Sequence, residues 1–123
     1  MTKERYDIYK RTFDFAVDTA KLIKNLNKNM ITVEYAKQLI RSSGSIGANL
    51  EEADGAASKK DFINKVIIAR KEAKESRHWL RLIATVSDFN SKEEKETMDK
   101  LVNESKEIML ILSAIANNSR LNH

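Results

Sequence analysis

The spacing of the apolar residues restricts the fold of this chain more than any other feature. In four long segments they recur at alternating steps of three and four, the spacing of one helix face. The 123 residues include no proline and only three glycines, so few positions would break a helix or form tight β-turns. The pattern predicts a single all-α domain over residues 1–123, with helices near residues 5–27, 31–55, 58–88 and 92–117.

The apolar stripes predict how these helices pack. The second, third and fourth segments each have one stripe that we expect to be buried. In the second it comprises Ala36, Leu39, Ser43, Ile46 and Leu50. In the third it comprises Phe62, Val66, Ala69, Ala73, Ser76, Leu80 and Ile83, and in the fourth Met98, Leu101, Ser105, Ile108, Leu112 and Ile115. The first segment has two stripes, Tyr9, Phe13, Ala16, Ala20 and Ile23 beside Ile8, Phe15, Leu22 and Leu26. Short connections favour an antiparallel up-down-up-down four-helix bundle. The extra apolar surface of the first helix predicts self-association.

Polar residues mark the predicted helix ends. Thr32 is expected to cap the second helix and Ser58 the third, because a hydroxyl accepts a hydrogen bond from an unpaired backbone amide. Gly55 is a candidate stop for the second helix. The run from Ser91 to Glu94 has the form of a capping box for the fourth.

Composition excludes several classes of protein. The chain contains no cysteine, which rules out disulfides, thiolate catalysis and the common structural zinc sites, and fits a reducing cytoplasm. Its first residues are charged and unlike a secretory signal. The longest apolar stretch, residues 108–116, would cover only about 14 Å of a hydrocarbon layer of about 30 Å. We therefore expect a cytoplasmic protein that does not span a membrane.

Positive charge lies mainly in two segments, the first thirty residues, which hold seven lysines and arginines against four acidic residues, and the third predicted helix. The chain has a net charge of +4, and residues 58–90 alone hold eight lysines and arginines against four acidic residues. A stripe along this helix comprises Arg70, Lys74, Arg77 and Arg81. Such spacing can follow the phosphates of a nucleic acid, or it can form a solvated flank paired with acidic residues of a neighbouring helix.

The second helix carries a line of polar residues at steps of four, four and three: Arg41, Ser45, Asn49 and Glu52. Buried polar groups are costly unless they are hydrogen-bonded. They could form a ligand site, but we favour a satisfied polar seam that sets the register of the bundle or of its subunits. The small residues of this helix, Ser42, Ser43, Gly44, Ser45, Gly47 and Ala48, predict close helix packing.

No catalytic or metal-binding constellation is recognisable. Glu75 and His78 match the Glu-x-x-His motif of di-iron bundles, but such sites need two copies of the motif and two further glutamates. The core stripe turns His78 toward solvent, and the other histidine is His123. We expect no enzymatic activity, no metal and no organic cofactor.

A further group, Ile68, Glu72 and Trp79, lies on the other flank of the third helix. Trp79 could extend the edge of the core or lie in a subunit interface, where tryptophan is enriched.

The middle of the chain resembles a known family. Residues 41–53, RSSGSIGANLEEA, resemble the signature of the 23S rRNA intervening-sequence proteins, and the similarity continues through residues 57–63 and 68–75 to Trp79 and Leu80. Many members have Glu-Gly where this chain has Glu52-Ala53, so a tight turn at that point is not implied. The resemblance implies a ring of five antiparallel four-helix bundles and favours Trp79 as an interface residue. A related family, the accessory protein of diversity-generating retroelements, is basic and associates with nucleic acid and a reverse transcriptase.

Together these features predict a non-enzymatic ring that presents a basic surface to RNA or DNA, with a protein partner as an additional possibility. The alternative is a structural or protein-interaction ring whose charges serve solubility.

Overall fold

Four α-helices account for nearly the whole chain. The computed structural model describes residues 3–121, and the side chains of residues 8–121. The helices are α1 (Lys3–Asn25), α2 (Met30–Asp54), α3 (Lys59–Val86) and α4 (Lys92–Leu121). No strand occurs within residues 3–121, so the predicted all-α class is confirmed. The predicted boundaries lie within four residues of the observed ones.

The helices follow one another around the bundle. α2 packs against α3 and α3 against α4, while α1 closes the bundle between α2 and α4 with less extensive contact. Within residues 3–121, the diagonal pairs α1 with α3 and α2 with α4 make no close backbone contact. This order confirms the predicted helical bundle.

Buried apolar side chains from all four helices form one core. The predicted stripes of α2, α3 and α4 lie in it, except that Phe62 and Ile115 are only partly buried and Ala116 takes the fully buried position near the end of α4. On α1 the structure selects the stripe of Ile8, Phe15, Leu22 and Leu26, joined by Ile23. Phe13 from the other stripe is 67% exposed. The two ends of the other stripe, Tyr9 and Ile23, still contact the core, while Phe13 in its middle faces away from it.

Hydroxyl groups occupy several core positions. Thr12 and Thr19 continue the buried stripe of α1, and both are fully buried. The hydroxyl of Thr12 donates to the carbonyl of Ile8, and Ser76 of α3 donates to Ser42 of α2 across 2.8 Å. Hydroxyl groups with such hydrogen bonds are tolerated in the interior. The buried Oγ1 of Thr19 differs, since it has no hydrogen-bond partner among the described residues.

The helix ends confirm two of four predictions in full and a third in part. Ser58 caps α3 by accepting from the Asp61 amide, and Gly55 ends α2 with a right-handed φ of −94° that does not require glycine. Ser91 accepts from the Glu94 amide at the start of α4, but the predicted capping box is incomplete, because Glu94 Oε1 accepts from the Asn90 amide and not from the Ser91 amide. The prediction for Thr32 is wrong: Asn29 is the N-cap of α2. Its side chain accepts from the amides of residues 31 and 32, and its own amide donates to the Thr32 hydroxyl, which completes a capping box.

The register of α1 can be tested with two phenylalanines. Phe15 is 1% exposed, so Phe15→Ala should lower the free energy of unfolding by about 3–5 kcal/mol through reduced burial and a cavity. Phe13→Ala should change it by less than about 0.5 kcal/mol. Urea unfolding at several protein concentrations measures both changes in the free energy of unfolding. Any part of a change that comes from self-association will vary with protein concentration. A larger loss of stability for Phe13→Ala at every concentration would contradict the observed register.

Candidate nucleic-acid interface

The outward face of α3 is rich in cations. The core stripe of this helix points inward, which leaves an exposed set opposite to it that comprises Lys60, Lys71, Lys74, His78 and Arg81. Arg70 and Arg77 are half-buried on the adjoining flank, the one away from α2. We call these seven residues the basic face. Four of them, Arg70, Lys74, Arg77 and Arg81, are the stripe predicted from the sequence, and the structure places them along one side of α3.

The basic face has no acidic partners within the described side chains. No lysine or arginine of the face lies within 4.0 Å of a carboxylate of residues 8–121. The buried Nε atom of Arg77 also has no hydrogen-bond partner among these residues. Of the two arrangements considered for this stripe, the one with acidic partners on a neighbouring helix is therefore not the one observed.

The mid-helix acids of α3 point toward α2, where one arginine binds them. Arg41 Nη2 lies 2.6 Å from Glu75 Oε1, and Arg41 Nη1 lies 3.3 Å from Glu72 Oε2. The hydrogen bond to Glu75 raises the pKa of Arg41, and the same bond lowers the pKa of Glu75 despite its partial desolvation. The consequence is a separation of charge, with the carboxylates held on one flank of α3 and unpaired cations on the outward face.

The predicted polar seam follows the boundary between α2 and α3, but its members do not bond to one another through their side chains. Glu52 forms an ion pair with Lys65 of α3 at 2.7 Å, as Arg41 does with Glu72 and Glu75. The Ser45 hydroxyl donates to the carbonyl of Arg41, and the Asn49 amide donates to the carbonyl of Ser45. The ion pairs between this seam and α3 are therefore made by Arg41 and Glu52, the charged residues at its two ends.

Three aromatic rings lie next to this boundary. The ring centroids of Tyr35 and Trp79 are 5.8 Å apart, and those of Trp79 and His78 are 5.0 Å apart in an edge-to-face arrangement. Trp79 Nε1 donates to Glu75 Oε1 across 3.2 Å. Among the residues predicted for a subunit interface, Trp79 is thus half-buried with partners in its own chain, Glu72 is held by Arg41, and Ile68 is 39% exposed.

An apolar groove between α1 and α2 was not predicted from the sequence. It has a volume of about 400 Å³ and is lined by Tyr9, Thr12, Phe13, Ala16, Gly44, Gly47, Ala48, Glu51 and Asp54. A Cβ atom on Gly44 would meet nothing within 4 Å, and one on Gly47 would meet only the Thr12 hydroxyl at 3.7 Å. The predicted close helix packing is therefore not found at Gly44 within this chain, and it stays a prediction for contact with another subunit. The second apolar stripe of α1 was the signal that could have located the groove.

Neither metal binding nor a membrane span has a structural basis in the described residues. No group of three potential ligands among histidine and acidic side chains could hold a metal ion in this part of the chain. Glu75 is bound by Arg41 and Trp79, while His78 is exposed on the outward face of α3. None of the helices described combines the length and the apolar composition that crossing a membrane requires.

These features define a class, the small all-α four-helix bundles, here with a basic face on one helix. The family model of the 23S rRNA-intervening sequence proteins matches residues 4–114, and the chain belongs to that family. The crystal structure of a protein of unknown function from the S23 ribosomal protein family of Bacteroides thetaiotaomicron is similar, with a TM-score of 0.78 and 35% identity over 93% of this chain and 98% of the other. No functionally curated protein matches the chain.

The Arg41–Glu75 pair makes a testable contribution to stability. Because the pKa of Glu75 is lowered in the folded protein, its stabilising effect is complete above the ordinary glutamate pKa of 4.5 and is lost as the pH falls through the lower folded value. Glu75→Gln should therefore be less stable than the parent protein at neutral pH, and the difference should shrink in acid.

Denaturant unfolding at a series of pH values measures that difference. Glu107→Gln, on the exposed surface of α4, controls for the removal of one negative charge. A difference for Glu75→Gln that stays constant from neutral to acidic pH would contradict the role given to the pair.

Proposed function

We propose that this protein is a non-enzymatic, oligomeric, cytoplasmic binding protein that presents the basic face of α3 to RNA or DNA. The observation that supports this proposal most strongly is that the lysine and arginine side chains of that face have no acidic partners in the described structure. Nucleic-acid affinity arises largely from cations that neutralise phosphates and release counterions. A cation that is already paired with a carboxylate contributes less to this affinity. The position of Glu72 and Glu75 on the other flank of α3, where Arg41 binds them, therefore favours nucleic-acid binding.

The name of the family also favours a nucleic-acid partner. The family is named for an intervening sequence of 23S rRNA, while its structural relative is described as a protein of unknown function. The modest net charge of +4 is compatible with such a role if binding relies on one face. Assembly into a ring would increase the affinity for a nucleic acid, because the basic face is repeated in every subunit around the symmetry axis.

Self-association is the second part of the proposal. Phe13 exposes two-thirds of its surface beside a groove floored by Gly44, Gly47 and Ala48, and a glycine within a helix costs about 1 kcal/mol relative to alanine. Open space at Gly44 leaves this cost unexplained by packing within one chain. We propose that the groove receives a neighbouring subunit in a ring, with five members as the family resemblance implies. The subunit interface predicted from the sequence at Ile68, Glu72 and Trp79 is a separate prediction, which remains to be tested.

The groove also favours the alternative function, a structural or protein-interaction ring that binds no nucleic acid. An exposed aromatic side chain beside small residues suits a protein contact better than a phosphate contact. The two functions differ in their response to salt and to neutralisation of the basic face.

Nucleic-acid binding can be tested by replacing Arg70, Lys74, Arg77 and Arg81 with glutamine. Affinity for a fluorescent single-stranded oligonucleotide should fall by about tenfold or more. The slope of log affinity against log salt should decrease by about 0.7 for each phosphate that the variant no longer neutralises. Titrations between about 50 and 200 mM salt measure both quantities.

A matched variant replaces four exposed cations outside the basic face, Lys21, Lys24, Lys37 and Lys100, with glutamine and so changes the net charge equally. It should retain most of the affinity. Equal decreases in the two variants would show that only net charge matters. No binding by the parent protein at low salt would leave the interaction ring as the function.

Assembly can be tested with Phe13→Glu, which places a charge in the groove. Sedimentation equilibrium should show dissociation toward the monomer, because a desolvated carboxylate without a partner is costly in an interface. Leu110→Glu on α4, also at an exposed apolar residue, should leave the assembly unchanged. Ile68→Glu examines the interface predicted on α3. A parent protein that is monomeric at micromolar concentration would refute the proposed ring.

A further inference from the structure

The three aromatic rings beside the basic face form a series that runs from the boundary with α2 to the surface. Tyr35 and Trp79 are half-buried, while His78 is exposed and is the outermost ring. A purely structural aromatic cluster would gain most by burying all of its members. This series instead ends with an accessible ring in contact with an indole.

The middle ring of the series is held in place by polar contacts. Trp79 Nε1 donates to Glu75 Oε1 at 3.2 Å, and the same oxygen accepts from Arg41 Nη2 at 2.6 Å. The indole is therefore positioned before any ligand arrives, and Glu75 is neutralised by an arginine. A preorganised ring loses less conformational entropy on binding than a mobile one.

Cations surround the exposed end of the series. Lys74 precedes His78 by four residues and Arg81 follows it by three, so both are its neighbours on the helix surface, and Lys71 lies one turn further along. All three cations are exposed and lack carboxylate partners in the described structure. Aromatic rings that stack on bases, combined with cations that follow the backbone, are what proteins use to bind single-stranded nucleic acid.

We propose that His78, supported by Trp79, is a stacking platform for an unpaired base, which makes the basic face of α3 a site for single-stranded rather than double-stranded RNA or DNA. This inference rests on the proposed function. Lys74 and Arg81 contact the flanking phosphates. In a duplex the bases are already stacked on one another, so only the phosphate contacts remain available to it. The platform also requires Trp79 to lie outside the subunit interface.

Fluorescence offers a direct measurement, because Trp79 is the only tryptophan in the chain. A base stacked against this cluster should quench its emission. We would titrate the protein with a single-stranded oligoadenylate, the corresponding duplex and inorganic polyphosphate, which carries charge without bases. Binding is followed in parallel by competition with a labelled oligonucleotide. We expect quenching by the single strand, together with little quenching by the duplex or by polyphosphate at equal occupancy.

Two substitutions of the exposed His78 separate stacking from charge. His78→Ala should weaken single-strand binding by about fivefold or more and polyphosphate binding much less, because the lysines and arginines of the basic face remain. His78→Phe keeps an aromatic ring and removes the titratable nitrogen atoms, so it should retain single-strand affinity. Both changes lie on the surface and should fold normally, which circular dichroism verifies.

The remaining outcomes each contradict the proposal in a distinguishable way. Single-strand binding without quenching, at the same affinity for His78→Ala, would overturn the platform and leave the basic face in place. Equal decreases in affinity for His78→Ala and His78→Phe would assign the effect to charge. Emission that depends on protein concentration and not on oligonucleotide would place Trp79 in a subunit interface. Absence of binding to every polyanion would remove both the platform and the proposed function.

Discussion

Arg41 binds two carboxylates of the neighbouring helix, and much of the surface chemistry of the molecule depends on that contact. Its guanidinium spans from α2 to Glu72 and Glu75 on α3, at 3.3 and 2.6 Å. The ion pairs hold the mid-helix acids of α3 on the α2 side and leave the outward side to lysine and arginine. Glu75 also accepts from Trp79, so the same contact orients the aromatic series. At partly exposed sites such pairs contribute modestly to stability, and here their larger effect is on where charge lies.

The first helix has a different constraint, since it carries more apolar residues than the core can accept. The core takes the stripe that includes Phe15 and fills two further positions with Thr12 and Thr19. Phe13 is left beside the groove, facing small residues of α2. The less extensive packing of α1 is consistent with a helix that has a second apolar side available for contact with another subunit.

The two proposed activities use different sides of the bundle. The groove lies between α1 and α2, while the basic face is on α3, which is diagonal to α1. A subunit can therefore be held through the groove while its α3 remains exposed to a nucleic acid. Had both surfaces been on one helix pair, assembly and binding would compete for the same residues.

Much of the fold was determined by the sequence alone, because helical periodicity is a local property. The spacing of Val66, Ala69, Ala73 and Leu80 sets the inward face of α3 whatever it packs against, and with it the outward position of His78 and Lys74. Ser58 was predictable as a cap because an N-cap acts within three residues. Asn29 also acts locally, through the amides of residues 31 and 32, so tertiary packing is not the reason that the prediction of Thr32 as the cap was wrong. Local pattern did not decide between the two stripes of α1. It also did not reveal that Arg41 would form ion pairs with Glu72 and Glu75, which are more than 30 positions away in the sequence. Those ion pairs leave the cations of α3 without these carboxylates as partners. Those outcomes depend on which side chains the packed helices bring together, and only the tertiary structure decided them.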